Sequence, residues 1–288
     1  MQSIRLKASR KTAWALRAPT RWQFAEHKSG PKAIGGLLRR LHHGHDLDAT
    51  AESRIDPSET GIPWRVLSDL GHRIVFATPD GQAGVADRLM VTGRGLGLLA
   101  SVLKADQNGR EAYEAMVASS EFRSPLRYEV IDELSFDALL LPGGHAKEMK
   151  PYLESRLLQR AVVECFARDK PVGAICHGVV LAARSKASSG KSVLHGRKTT
   201  ALLRRQELLA WTLTRLYLGD YYRTYPMTVE DEVRASLAQP VDFRPGPLSI
   251  SRDTPERPNG FAVIDRNYVS ARWPGDAYGF SRALAGLL

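Results

Sequence analysis

The sequence predicts an α/β layer fold around a mostly parallel sheet, on three observations. From Asp56 onward, helical and apolar extended stretches alternate, the grammar of such folds. One extended stretch, 136–141, is apolar but for Asp137 and ends in Pro142-Gly143-Gly144, as a strand buried on both faces should. Another, Val172–Ile175, runs straight into Cys176-His177-Gly178 and then the helix formers of 179–183. That pattern is a sharp strand-to-helix turn with a cysteine at its tip, a nucleophile elbow.

Taken in order, residues 1–54 read as a basic, solvated arm ahead of a domain at 55–288. The arm holds 11 Lys/Arg against Glu26, Asp46, Asp48 and Glu52; the rest of the chain holds 30 Lys/Arg against 27 acids. Most of the formal charge of +10 therefore belongs to the arm. Residues 33–41 suit a short basic helix. The histidines of Leu41-His42-His43-Gly44-His45-Asp46 are too nearly adjacent to converge on a metal ion. An Arg-rich, acid-poor start also has the composition of an organelle transit peptide.

Within the domain, Asp56-Pro57-Ser58-Glu59-Thr60 is a capping loop before a helix over 61–70, which tolerates Pro63 in its first turn. A strand follows at Arg73–Thr78, then a Pro79-Asp80-Gly81 turn. Helices are expected over 96–104 and 109–119, the buried strand at 136–141, and an amphipathic helix over 153–169. After the elbow come a polar loop (185–192), an extended run (197–202) and a helix (203–218). Strands at Ala262–Asp265 and Tyr268–Ala271, a turn at 273–276 and a closing helix over 277–288 complete the chain.

Several function classes fall away on composition. No basic stripe interleaved with aromatics marks a nucleic-acid groove, and no apolar run reaches the roughly 18 residues of a membrane span. Two cysteines, Cys165 and Cys176, make no disulfide framework and suit a reducing, cytoplasmic setting. Cys165 falls in a helical stretch and reads as core. Cys176 reads as a nucleophile with an exposed sulfur. The helix N-terminus behind it favours the thiolate, and His177 is the adjacent base. In a parallel sheet the functional loops gather at the carboxyl ends of the strands. The loop of Glu59, the Gly143-Gly144 turn and the Cys176 elbow can meet there, with the backbone N–H groups of Gly144 and His177 as an oxyanion hole.

These three motifs, Leu141-Pro142-Gly143-Gly144-His145, Ala174-Ile175-Cys176-His177-Gly178 and Asp56-Pro57-Ser58-Glu59-Thr60, together resemble the PfpI/ThiJ superfamily, relatives of class I glutamine amidotransferases. That superfamily includes intracellular proteases, stress chaperones, the Parkinson's-associated protein family and glutathione-independent glyoxalases. The resemblance covers about 55–288, and the long segment before the 136–141 strand resembles the larger chaperone- and glyoxalase-like branch. It implies a flavodoxin-like three-layer sandwich with Cys176 as nucleophile, His177 beside it and Glu59 in contact with the sulfur. It implies an acid that orients the histidine, Glu207 or alternatively Asp276. A small carbonyl compound or a peptide is the implied substrate, with no metal, no cofactor and a possible homodimer. The implied chemistry is methylglyoxal-to-lactate conversion or amide hydrolysis. The alternatives are a holding chaperone or redox sensor, and a defective homologue.

Two departures from the family pattern stand out. Trp273-Pro274-Gly275-Asp276 occupies the place of the amidotransferase His-Pro-x-Glu turn. Trp cannot accept a proton, which argues against ammonia transfer from glutamine. Residues 46–55 carry a charge at nearly every second or third position, so the family's first buried strand is expected to be missing directly ahead of Glu59.

Overall fold

The computed structural model describes residues 33–37 and 54–288. Its strands are β1 (Ala33–Leu37), β2 (Arg54–Ile55), β3 (Arg73–Thr78), β4 (Val85–Ala86), β5 (Leu126–Arg127), β6 (Ala138–Leu141), β7 (Val172–Ile175), β8 (Ala262–Asp265) and β9 (Tyr268–Ala271). Seven form one sheet in the order β5-β3-β1-β6-β7-β9-β8, while β2 and β4 pair separately. Every neighbouring pair in the large sheet is parallel except β8 with β9. Between the edge strands β5 and β8, the chain order reads second, first, third, fourth, fifth. This is the flavodoxin-like order, whose direction reverses between β1 and β6. All residues of β6, β7 and β9 are buried, as strands covered on both faces must be.

The first strand is present, but upstream of its expected place. Residues 33–37 pair with β3 from Ala33↔Arg73 to Leu37↔Ala77, and with β6 from Ile34↔Ala138 to Gly36↔Leu140. A strand therefore replaces the short helix expected at 33–41, and the sheet begins inside the stretch assigned to the arm. Gly35 and Gly36 each disfavour a helix by about 1 kcal/mol, and ladder partners on both sides supply what the local sequence lacks. The residues directly ahead of Glu59 do something else: β2 pairs with β4 through Arg54↔Val85 and Ile55↔Ala86.

The helix expected at 61–70 begins four residues earlier and spans Pro57–Asp69. The Asp56 carboxylate accepts the N–H groups of Ser58 at 2.8 Å and Glu59 at 3.0 Å. Pro57 holds the first helical position with its preset φ. Glu59 consequently sits in the first turn of a helix, not in a loop. The stretch 153–169 resolves into Lys150–Leu153 and Arg156–Ala167, separated where Ser155 caps the second helix through Leu158 N–H. Helices at Arg204–Leu218 and Ala277–Ala285 lie close to their expected positions. A further helix, Val229–Ser236, lies outside the elements expected from the sequence. Among the described residues, no helix is long and apolar enough to cross a membrane. The histidine tract at 42–45 lies outside the described residues.

Candidate active site

Cys176 follows β7 with φ of +56°, in the left-handed region that a non-glycine residue adopts only when its surroundings enforce it. Two features enforce it here: Cys176 N–H donates to the Ala271 carbonyl at 3.0 Å, and the helix Gly178–Arg184 starts at once. Gly178 makes the turn possible, because a Cβ there would stand 2.1 Å from the Leu141 carbonyl oxygen. The elbow's geometry is thus the expected one.

The expected exposure of the sulfur is not found. Cys176 is only 5% exposed, and burial pushes its thiol well up, with the neighbouring Glu59 and Asp56 carboxyls adding to the shift. The His177 backbone N–H near the sulfur pulls the other way, but burial outweighs it. The resting group is a thiol.

Next to that thiol stands a neutral imidazole. Cys176 Sγ lies 3.5 Å from His177 Nδ1. His177 Nε2 lies 3.2 Å from the Thr224 hydroxyl, which itself donates to the His145 carbonyl. Because that hydroxyl proton is already committed, the oxygen can only accept from His177, so Nε2 carries the ring proton. Nδ1 then offers its lone pair to the thiol. Burial above all, and then the neighbouring His145 ring and the Arg184 guanidinium, push the His177 pKa down to about 3.

Glu59 completes the group. A Cβ at Gly143 would fall 2.3 Å from Glu59 Oε2 and 2.7 Å from Cys176 Cβ, so carboxyl and cysteine converge over a position only glycine can hold. Burial, then the charge of Asp56, raises Glu59 well above the usual carboxylate range, against the lowering influence of the Cys176 sulfur. Its carboxyl oxygens have no other hydrogen-bond partner. The structure brings Glu59, Gly143, Cys176 and His177 together.

Gly144 adopts φ of +149°, and its N–H makes no hydrogen bond among the described residues. The other expected oxyanion donor, His177 N–H, lies near the sulfur and lowers its pKa.

Neither acid expected to orient His177 does so. Glu207 accepts Val229 N–H at 2.9 Å and approaches Arg223 to 4.0 Å. Burial raises its pKa to about 7. Asp276 is held by Arg272 through bonds of 2.8 and 3.0 Å and accepts Phe261 N–H. Arg272 and Asp276 are both buried, and losing one partner of such a pair typically costs about 3–5 kcal/mol of stability. That pairing makes Asp276 a structural residue. Thr224 is the group that contacts the ring, and no sequence signal links it to a histidine 47 residues away. Cys165 is buried in the helix Arg156–Ala167 and its thiol is pushed up to about 12, in keeping with a place in the core.

A cavity of about 110 Å³ opens onto Cys176. Met90, Val102, Leu103, Leu202 and Ala210 give it apolar walls, and Asp56, Glu59, His145, Gln206, Glu207, Tyr222, Arg252 and Trp273 also line it. His145 stacks on Tyr222 with ring centres 4.5 Å apart. This space suits a small molecule.

A flavodoxin-like sheet carrying a left-handed cysteine, an adjacent imidazole and a buried carboxyl defines an elbow-type α/β protein with a thiol-centred site. Residues 51–241 match the sequence model of the ThiJ/PfpI family-like group, and the chain belongs to that family. Among curated relatives, a deglycase of Thermococcus kodakarensis is 30% identical over 166 residues, which cover 57% of this chain and 69% of that protein. The deglycase PfpI of Pyrococcus furiosus is 29% identical over 193 residues, 66% of this chain and 81% of that one. Among solved structures, glyoxalase III of Candida albicans superposes with a TM-score of 0.60 at 14% identity, covering 89% of this chain and 97% of that chain. The 24 kDa rapid encystment protein of Francisella tularensis gives 0.61 at 18% identity, covering 89% and 98%. These last two likenesses establish the fold alone.

Proposed function

We propose that this protein converts small 2-oxoaldehydes such as methylglyoxal into 2-hydroxy acids, without glutathione, through a covalent intermediate on Cys176. The observation that carries this reading is that the Cys176 thiol and the Glu59 carboxyl line one small cavity, with His177 Nδ1 3.5 Å from the sulfur. The deglycase relatives support carbonyl chemistry.

As the Cys176 sulfur bonds to the aldehyde carbon, the thiol proton passes to His177 Nδ1 and Glu59 gives its proton to the aldehyde oxygen. A hemithioacetal results. The Glu59 carboxylate then removes the proton from that carbon and returns it to the neighbouring carbonyl carbon, while the hydroxyl proton passes from the first oxygen to the second, leaving a thioester of the hydroxy acid. Water then cleaves the thioester: its hydroxyl bonds to the acyl carbon, its other proton returns to Glu59, and His177 gives its proton back to the departing sulfur. The balance is one aldehyde and one water in, one hydroxy acid out, with no external oxidant. Because both resting partners are neutral, proton transfer accompanies attack instead of preceding it. A cavity of this size disfavours peptides, so amide hydrolysis is the weaker alternative. Two free cysteines fit a reducing, cytoplasmic setting.

Purified protein incubated with methylglyoxal, without glutathione, should consume it and form lactate, and Cys176→Ala should abolish turnover. Equal turnover by the mutant would refute the reading. A second reading, a holding chaperone, draws on the exposed apolar stripe of Leu209, Leu213, Leu216 and Tyr217 along one helix. It gains if a cooperatively melting protein shows no turnover but suppresses aggregation of an unfolding client.

A further inference from the structure

The cavity wall beyond Cys176 holds polar groups that the proposed chemistry does not use. Arg252 lines the cavity. Its Nη2 donates to the carbonyls of Lys104 at 3.0 Å and Val102 at 3.4 Å. Its Nη1 is buried with no hydrogen-bond partner, and so is Nε1 of Trp273, another lining residue. The guanidinium lies over the Trp273 ring, 5.5 Å from its centre. A buried cationic donor left unsatisfied is costly, so a partner that enters with the ligand is the economical explanation.

The position of Arg252 is fixed by its neighbour. Asp253 N–H donates to the Gly275 carbonyl. The Asp253 carboxylate accepts the N–H groups of Gly260, Tyr278 and Gly279 at 3.1, 3.2 and 2.6 Å. The loop is thereby fastened to the start of the C-terminal helix, and Arg252 is held in place before any ligand arrives.

We propose that Arg252, with the Trp273 indole N–H, forms a carboxylate-binding subsite facing Cys176, so that the cavity takes short carbonyl or hydroxy compounds bearing a carboxylate. The inference rests on the reading of Cys176 as the nucleophile and names the ligand class of that site. Three acids share the cavity. Two of them, Glu59 and Glu207, are pushed toward the neutral form by burial. The third, Asp56, directs an oxygen to two backbone N–H groups of its helix. Arg252, whose charge also acts on Asp56 and Glu59, is the guanidinium that the cavity offers to a ligand. A carboxylate could be carried by an oxo-acid substrate or by the hydroxy-acid product, and the chemistry of recognition is the same.

Alkylation of Cys176 tests this without turnover. Iodoacetate and iodoacetamide transfer similar groups to sulfur with loss of iodide, but only the first carries a carboxylate. With labelling mapped by mass spectrometry, the iodoacetate-to-iodoacetamide rate ratio at Cys176 should exceed that of a free small thiol by roughly tenfold, the size expected of a charge-assisted bond. Arg252→Gln should return the ratio to that of the free thiol, while Arg252→Lys keeps part of it. Arg160→Gln, which removes an exposed charge elsewhere, should leave it unchanged. Protection from labelling by lactate alone assigns the subsite to the product, and protection by pyruvate as well assigns it to an oxo-acid substrate. A wild-type ratio equal to that of the free thiol, a ratio insensitive to Arg252→Gln, or labelling of Cys176 by neither reagent overturns the proposal. An intact ratio in a protein that does not consume methylglyoxal would sink the proposed reaction and leave the subsite standing.

Discussion

Thr224 decides what His177 can do. By accepting from Nε2 while donating to the His145 carbonyl, its hydroxyl fixes the tautomer that leaves Nδ1 open toward sulfur. Thr224→Val keeps the shape but withdraws the acceptor. It should lower kcat for methylglyoxal by about ten- to a hundredfold, a fraction of what a positioned base contributes, with circular dichroism unchanged; an unchanged kcat would remove Thr224 from the relay. The sequence made the reacting groups legible because Cys176, His177 and Glu59 sit in compact local motifs. It did not reveal their support. Glu207 and Asp276 had the right residue type, but Val229 N–H and Arg272 already engage them. The supporting hydroxyl instead comes from a segment between two helices, with nothing in its spacing to single it out.

The strand-turn-helix element from β7 into Gly178–Arg184 depends on backbone packed against backbone. A Cβ at Gly178 would meet Leu141 O at 2.1 Å and Pro142 O at 2.8 Å, contacts that no rotamer can relieve. Gly178→Ala should therefore destabilise the protein by about 2–3 kcal/mol, the upper part of the range for overpacking. Urea unfolding would measure this, and a change below about 0.5 kcal/mol, ordinary for a neutral substitution, would show that the turn relaxes freely. This element was readable from sequence because its constraint is local: apolar strand, glycine, helix formers. β1 was not. Ala33-Ile34-Gly35-Gly36-Leu37 has neither length nor a β-branched run, and its identity comes from β3 and β6 on its two sides. Where a strand's stability comes from its neighbours, local propensity is a weak guide.

At the scale of the whole molecule, β1 joins two groups of strands, β5-β3 on one side and β6-β7-β9-β8 on the other. Removing residues 1–30 leaves that strand in place and should preserve a cooperative melt. Removing residues 1–40 takes it away, uncovers the ladder edges of β3 and β6, and should abolish cooperative melting and leave an aggregation-prone chain. Equal melting of both truncations would show that β1 contributes little. The defective-homologue alternative rested on the absence of this strand, and its presence in the sheet removes that argument. The flavodoxin-like architecture was legible through the resemblance its three motifs carry, while composition alone showed an α/β fold with the buried strands β6 and β7.

Asp56 shows how closely assembly and chemistry are joined here. The carboxylate that starts the helix Pro57–Asp69 is also a negative charge that discourages ionisation of Glu59 and Cys176 alike. One side chain thus serves both as the cornerstone of a helix and as the keeper of two protons. A neutral cap in its place, asparagine or serine, would leave the architecture standing and loosen the grip on those protons. Folding and acidity, normally inherited together at this position, would become separately adjustable.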